Sequence, residues 1–273
     1  MFSRGGAECW QYEQWHNLDA VADPESFAGK MRAERGMPHE NEYEGLSFLF
    51  YKDRATYDRI GKLDGEEKEI HRATMRGVMK DNANFIDIAM TPSLLCRAQY
   101  EAGALMDVHP KDLPDKIRQN VVAFPIARPA GVSRTVFQDR WKNIHGPIVE
   151  ANLAALGGVK YMQLHNEIEG AGGAFGGDMH ELEGLAVVWT DPDAPRDKDA
   201  ARAAAAALLE DERKFIDLPR SYLQFVTPLF SSAPFGAGKI LPYDGPVSPV
   251  AEAFPFWTGQ VAEHLHQDPA AKL

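Results

Sequence analysis

Cysteine is scarce in this chain: two among 273 residues, Cys9 and Cys96, with no Cys-x-x-Cys pair. That leaves no thiolate cage for a metal and no redox motif. No apolar run reaches the ~18 residues of a membrane-crossing helix, and the opening MFSRGGAECW lacks the apolar centre of a signal peptide. A cytoplasmic protein is expected, and with it no structural disulfide. Basic residues are also in deficit, 29 against 40 acidic, for a formal net charge of -11. A surface of that sign repels phosphate backbones and anionic lipid, so neither nucleic acid nor a membrane is an expected partner.

Nucleotide signatures are missing too. GAGGAFGGD at 170–178 lacks Gly-x-Gly-x-x-Gly, and GAGK at 236–239 lacks both the Ser/Thr and the spacing of a P-loop. No tight metal-ligand spacing occurs. His39 and His180, each followed by Glu, read as solvated loop residues, so no metal is expected.

What is present is a 44% apolar composition, enough for a sizeable core, and a pattern written twice. YEQWHN at Tyr12–Asn17 returns as YMQLHN at Tyr161–Asn166, 149 positions on (161 − 12). Glu-Gly-Leu at 44–46 returns at 183–185, an offset of 139 (183 − 44), and DNANFIDI from Asp81 returns as DERKFIDL from Asp211, an offset of 130 (211 − 81). Three blocks in one order point to an internal repeat whose first copy has the longer connections.

Local patterns give the blocks their structure. YMQLHNEI alternates, with Tyr161, Gln163 and His165 on one face, and LEGLAVVWTD is apolar enough for a buried strand. DKDAARAAAAALLEDERKFI has the composition and acidic start of a helix, and RSYLQFVTPLF reads as a strand ended by Pro228. With the strand NVVAFPIARP and a helix from about Ser133 to Leu156 ahead of them, the second copy runs β-α-β-β-α-β, the ferredoxin-like split unit. The fold class is therefore α+β, with an incomplete first ferredoxin-like unit over 1–105, a complete one over 120–232, and an extension over 233–273 in which VAEAFPFWTGQVAEHLHQ is a candidate helix interrupted by Pro255. The first copy starts at its second strand. Two such units close a barrel-like space when their uncovered sheet faces meet, and the exposed edge of the incomplete copy predicts a homodimer or cover from the C-terminal helix.

The segment VSRTVFQDRWKNIHGPIVEANL is the most informative one. Phe137, Trp141 and Ile144 form a stripe at helical spacing, and His145 flanks it just before Gly146-Pro147, where the helix is expected to kink. Two readings stay open: a histidine satisfied in a helix–sheet seam, or one turned toward a cavity. Thr135 with Gln138 resembles a capping box, and Asp87 and Asp217 read as turn caps.

The pattern Phe137-x3-Trp141-x3-His145-x-Pro147, then Gly157-Gly158-x2-Tyr161 and Asp211-Glu212-x2-Phe215-Ile216-Asp217, resembles the EthD domain family of the dimeric α+β barrel superfamily. The likeness covers about residues 120–230, with a degraded copy over about 8–100 that lacks the Trp-His helix. It implies a small-molecule enzyme, since members include polyketide dehydratases and decarboxylases, and the superfamily holds cyclases, isomerases, cofactor-free oxygenases and haem enzymes. We expect His145, His165 and Tyr161 as the acid–base set, with Trp141, Gln163, His16, Tyr12 and Gln14 as contacts to a hydrophobic substrate and the triples Tyr161/Gln163/His165 and Tyr12/Gln14/His16 facing the barrel interior. The expected reaction is a cofactor-independent elimination, cyclisation or isomerisation, nearest to a dehydratase-type lyase. The alternatives are a haem-binding barrel enzyme with His145 or His165 as axial ligand, and a non-catalytic carrier.

Overall fold

The computed structural model describes residues 9–17, 27–38, 45–51, 54–82, 94–167, 182–232 and 238–240. In chain order the elements are β1 (Cys9–Asn17), α1 (Phe27–Arg35), β2 (Gly45–Tyr51), α2 (Arg54–Ile60), α3 (Gly65–Asn82), β3 (Cys96–Ala102), α4 (Asp115–Arg118), β4 (Val121–Ala127), α5 (Arg134–Arg140), α6 (Gly146–Leu153), β5 (Gly158–Asn166), β6 (Leu182–Thr190), α7 (Lys198–Glu212), β7 (Gln224–Ser232) and β8 (Gly238–Ile240). A π-helical turn over Trp141–His145 joins α5 to α6.

One antiparallel sheet takes all the strands, in the order β2-β1-β7-β4-β6-β5-β3, with β8 on β7. Its middle, β7-β4-β6-β5, is built from the succession β4-α5/α6-β5-β6-α7-β7, so the α+β fold contains a complete ferredoxin-like unit. β4 and β6 are buried on both faces, which is why VVAFPIA and LEGLAVVWT carry so few polar groups. Ser133 caps α5 by accepting from the Val136 amide, and Asp197 caps α7 by accepting from the amides of Asp199 and Ala200.

Among the described residues the first-half strands form no separate sheet. β1 carries β2 and lies on the free edge of β7, while β3 lies on the free edge of β5. Their registers match the second half residue for residue. Tyr12, Gln14 and His16 face Leu49, Ser47 and Gly45, and Tyr161, Gln163 and His165 face Val188, Ala186 and Gly184, so the partners differ by 139 throughout (188 − 49). On the other edge Gln14, Trp15 and Asn17 face Phe230, Pro228 and Val226, and Gln163, Leu164 and Asn166 face Tyr100, Ala98 and Cys96, a difference of 130 (230 − 100). Even the irregularity falls at the same place in both ladders, after Gln14 and after Gln163.

The sheet has a helix-covered face and a second face, and the two clusters of buried residues separate along them. Phe124, Ile126, Tyr161 and Ala186 pack with Phe137, Trp141, Val149, Leu208 and Phe215 of the helical layer. Trp15, Val121, Ala123, Leu185, Val187, Trp189 and Val226 meet on the other side, against Leu113 and Ile117. Trp15 and Trp189 touch edge to face at 5.9 Å although β7 and β4 lie between their strands. On a flat sheet those strands would be ~14 Å apart at ~4.8 Å per step, so the sheet curls toward this face.

Several expectations are corrected. Tyr161, Gln163 and His165 lie on the helix-covered face, not inside the curl; that interior receives Met162 and Leu164 instead. Alternation puts Gln14 and His16 on the helix-side face as well, because their neighbour Trp15 points inward. Ile144 is 45% exposed and His145 5%, because the widened turn places the histidine, not the isoleucine, against the core. Gln138 forms no box with Thr135 and donates to the Asn166 carbonyl. Asp217 stands before the 3₁₀ turn Leu218–Arg220 without a side-chain cap bond. β7 runs through Pro228. α1 is a helix that no pattern in the sequence announced. His39, Asp87, His180 and the segments 170–178 and 250–267 lie outside the described residues.

Gly184 sits at φ +154°, and a Cβ there would lie 2.1 Å from the Leu164 carbonyl oxygen and 2.9 Å from the Trp141 ring. At Gly131, φ +79°, a Cβ meets nothing within 4 Å. Gly184→Ala should therefore cost clearly more than the ~1–2 kcal/mol of a positive-φ backbone alone, and Gly131→Ala no more than that. Urea unfolding of both variants checks the difference.

Candidate functional site

The buried polar groups of the second half converge where α5, the π-turn and α6 cross β5. On β5, strand alternation aims Tyr161, Gln163 and His165 at the helices. The Gln163 amide ties the layers together: Nε2 donates to the Trp141 carbonyl oxygen at 2.9 Å and to the Tyr161 hydroxyl at 3.0 Å, and Oε1 lies 2.9 Å from His165 Nε2. With Gln163 so oriented, Oε1 accepts and His165 carries its proton on Nε2. The His165 ring stacks on Trp141 at 4.2 Å with 4° between planes. The close approach needs Gly146, where a Cβ would fall 3.1 Å from Gln163 Nε2 and 3.0 Å from the Tyr100 ring.

His145 faces the other helix. Its Nδ1 lies 3.0 Å from Asp211 Oδ2, and Arg140 donates to Asp211 Oδ1 at 2.5 Å. Phe215 packs 5.1 Å from the imidazole and takes the Arg140 guanidinium on its ring at 5.5 Å. Glu212, next along α7, pairs with Arg35 at 2.9 and 3.3 Å. Arg35 belongs to α1, so the first half closes over the second-half site; its neighbour Arg32, fully buried, donates to the Leu223 carbonyl.

Burial sets the protonation states. It pushes His145 below the ordinary histidine value, against the upward pull of Glu212 and the bonded Asp211. It pushes His165 down to about 4, with Lys142 adding to the effect. Burial also lifts Tyr161 well above the usual phenol value. Both histidines are therefore neutral at pH 7 and the phenol keeps its proton. In this state an orienting carboxylate holds the Nδ1 proton of His145, leaving Nε2 bare as a base.

The expected set is thus divided. His145, Tyr161, Gln163, His165 and Trp141 come together in the helix–sheet seam. Tyr12, Gln14 and His16 do not join them: β1 is separated from β5 by β7, β4 and β6. Sequence reasoning missed Asp211 as the partner of His145, along with Glu212, Arg140 and Arg35. Asp211-Glu212 stood in view as part of a repeated block, but only the fold brings it to His145 and Arg35, 66 and 177 residues away. Haem does not fit the residues present. Trp141 covers one face of His165, Gln163 holds its Nε2, and Phe215 and Asp211 crowd His145, so a macrocycle would have to displace the aromatic packing. Among the described residues no group of three or more His, Cys, Asp or Glu is placed to hold a metal, and no helix is long and apolar enough to cross a membrane.

Residues 129–219 match the EthD domain, a span that contains His145, Tyr161, Gln163, His165 and Asp211. No curated protein matches the sequence significantly. Among solved structures, an anthrone oxidase-like protein is 13% identical, with 86% of this chain and 96% of that one covered and a TM-score of 0.43. A provisionally assigned monooxygenase from Fusobacterium nucleatum subsp. nucleatum is 10% identical over 86% and 99% of the two chains, TM-score 0.38. Another from Lactobacillus acidophilus NCFM is 8% identical over 85% and 99%, TM-score 0.33.

The neutral, buried His165 makes stability depend on pH. Its folded value of about 4 lies below the unfolded value of 6.5, so between them the unfolded chain binds more protons. Its contribution is complete above pH ~6.5 and is lost as the pH falls toward 4. Chemical denaturation across that range should show falling stability in the native protein and a flatter slope in His165→Gln; equal slopes would count against a neutral His165.

Proposed function

We propose that the chain is an enzyme that moves a proton on a hydrophobic, aromatic small molecule, with the helix–sheet seam of the second half as its active site. The reaction we favour is an elimination of dehydratase type, and no cofactor takes part. The observation that carries this reading is the His145–Asp211 pair at the π-turn: a neutral imidazole whose Nδ1 is oriented by a buried carboxylate. A π-turn is also frequent at functional sites.

In this reading Nε2 of His145 removes a proton from carbon next to a carbonyl. Asp211 supports the imidazolium that forms, and Arg140 holds the other oxygen of Asp211 in place. Tyr161 accepts from Gln163 and so retains its own hydrogen for the oxygen on which negative charge develops. The proton on His145 then goes to the departing hydroxyl, which leaves as water. His165 serves as a positioning residue: its bond to Gln163 and its stack on Trp141 fix the amide that orients Tyr161, and its depressed basicity makes it a poor second base. Trp141 supplies the apolar wall. His145, Tyr161 and Gln163 are at most 5% exposed, so the chemistry is shielded from bulk water and the cover over the seam must part for substrate to enter.

Product mass discriminates among reactions when the protein is incubated with a panel of hydroxylated aromatic ketones: loss of 18 Da means dehydration, no change means cyclisation or isomerisation, and a gain of oxygen means oxygenation. On an accepted substrate, His145→Ala should lose roughly 10²–10⁴-fold in kcat while remaining folded. Full specific activity in folded His145→Ala protein would remove the histidine from the mechanism. Asp211→Asn should leave the substrate KM nearly unchanged and lower kcat, since it disturbs the tautomer and not the pocket wall.

A further inference from the structure

The order of the sheet shows what the first half lacks. In the second half β6 and β7 both pair with β4, which lies between them. Their register counterparts β2 and β3 are the two ends of the sheet, and among the described residues no strand pairs with the free edge of either. The counterpart of β4 would occupy that place. β2 is an unusual edge, GLSFLFY, without the charge or proline that ordinarily protects one. Leu49 in it is 54% exposed.

We infer that residues Ala251–Trp257 of this same chain fill the slot between β2 and β3 as the missing strand. The sequence AEAFPFW repeats the Ala-Phe-Pro-apolar pattern of β4, VVAFPIA, including a proline that central strands rarely admit. Laying Ala253 in the place of Ala123 tests the fit, because β4 has a known register on β6. Phe124 faces Ala186 and Ile126 faces Gly184; in the slot Phe254 would face Ser47 and Phe256 would face Gly45. Large side chains again meet small ones. On the inward face Val121, Ala123 and Pro125 oppose Trp189, Val187 and Leu185, and Ala251, Ala253 and Pro255 would oppose Phe50, Phe48 and Leu46. Glu252, where β4 has Val122, is the one polar departure. The chain has 33 residues after Ile240 (273 − 240), ample to reach the far side of a small barrel. The stretch after Trp257 would then lie over Gln14 and His16, as α5 and α6 lie over Gln163 and His165. The extension 233–273 would thereby belong to the first unit, which is complete but circularly permuted.

The test uses the full chain. Leu49→Cys with Glu252→Cys places two thiols directly opposite each other in the inferred register, and mild oxidation should link Cys-bearing peptides around 49 and 252 within a protein of monomer mass. A link between two chains, or none in a folded protein, overturns the inference. Hydrogen exchange reads the same contact without a new bond. The amides of β2 and β3 should be protected in the native chain, and Ala253→Asp, which buries a charge against Phe48, should speed their exchange by at least about tenfold while β4, β5 and β6 keep theirs. Unprotected β2 amides in the native chain, or identical exchange in the variant, likewise overturns it.

Discussion

Everything in this chain hangs on the two free edges of one four-stranded sheet. β7 and β5 would be exposed edges in an isolated ferredoxin-like unit, and each is covered by a strand from the first half in matching register. That pairing curls the sheet, brings Trp15 against Trp189, and leaves α5, α6 and α7 on the outer face. It also carries α1 across the molecule, so that Arg32 and Arg35 are buried against the Leu223 carbonyl and Glu212. A buried arginine is stable only when it is paired, and this one is paired with the residue adjacent to the carboxylate that orients His145.

The two faces of the curled sheet have different jobs. The inner face is dominated by aromatic and aliphatic groups, with Lys160 neutralised by Glu101 and Glu183 held by Arg128 and Arg134. The outer face meets the helices through a chain of polar groups, Tyr161 to Gln163 to His165, closed by the Trp141 carbonyl and ring. Every hydrogen bond in that chain fixes an orientation, and the widened turn at Trp141–His145 adds one rotated residue to it.

Much of this was legible in the sequence. Alternation in YMQLHN put the three polar residues on one face, and the alanine-rich run declared α7. The side of the sheet was not legible, since alternation names two faces without saying which one the helices cover. Ile144 misled for a related reason: helical spacing assumes an unbroken helix, and a single wide turn exchanged Ile144 for His145 at the core. Asp211 could not be assigned to His145 because 66 residues separate them and only the packing of α7 on the π-turn joins them. α1 escaped notice because FAGKMRAER has few apolar residues; two of its arginines do the burying instead.

The state of the His145 ring decides the central claim. Long-range nitrogen–proton correlation NMR at pH 7 reports which imidazole nitrogens carry protons. The account predicts a neutral ring at His145 protonated at Nδ1, toward Asp211, with Nε2 bare. An imidazolium, or a ring protonated at Nε2, would leave no base in the seam and would contradict it.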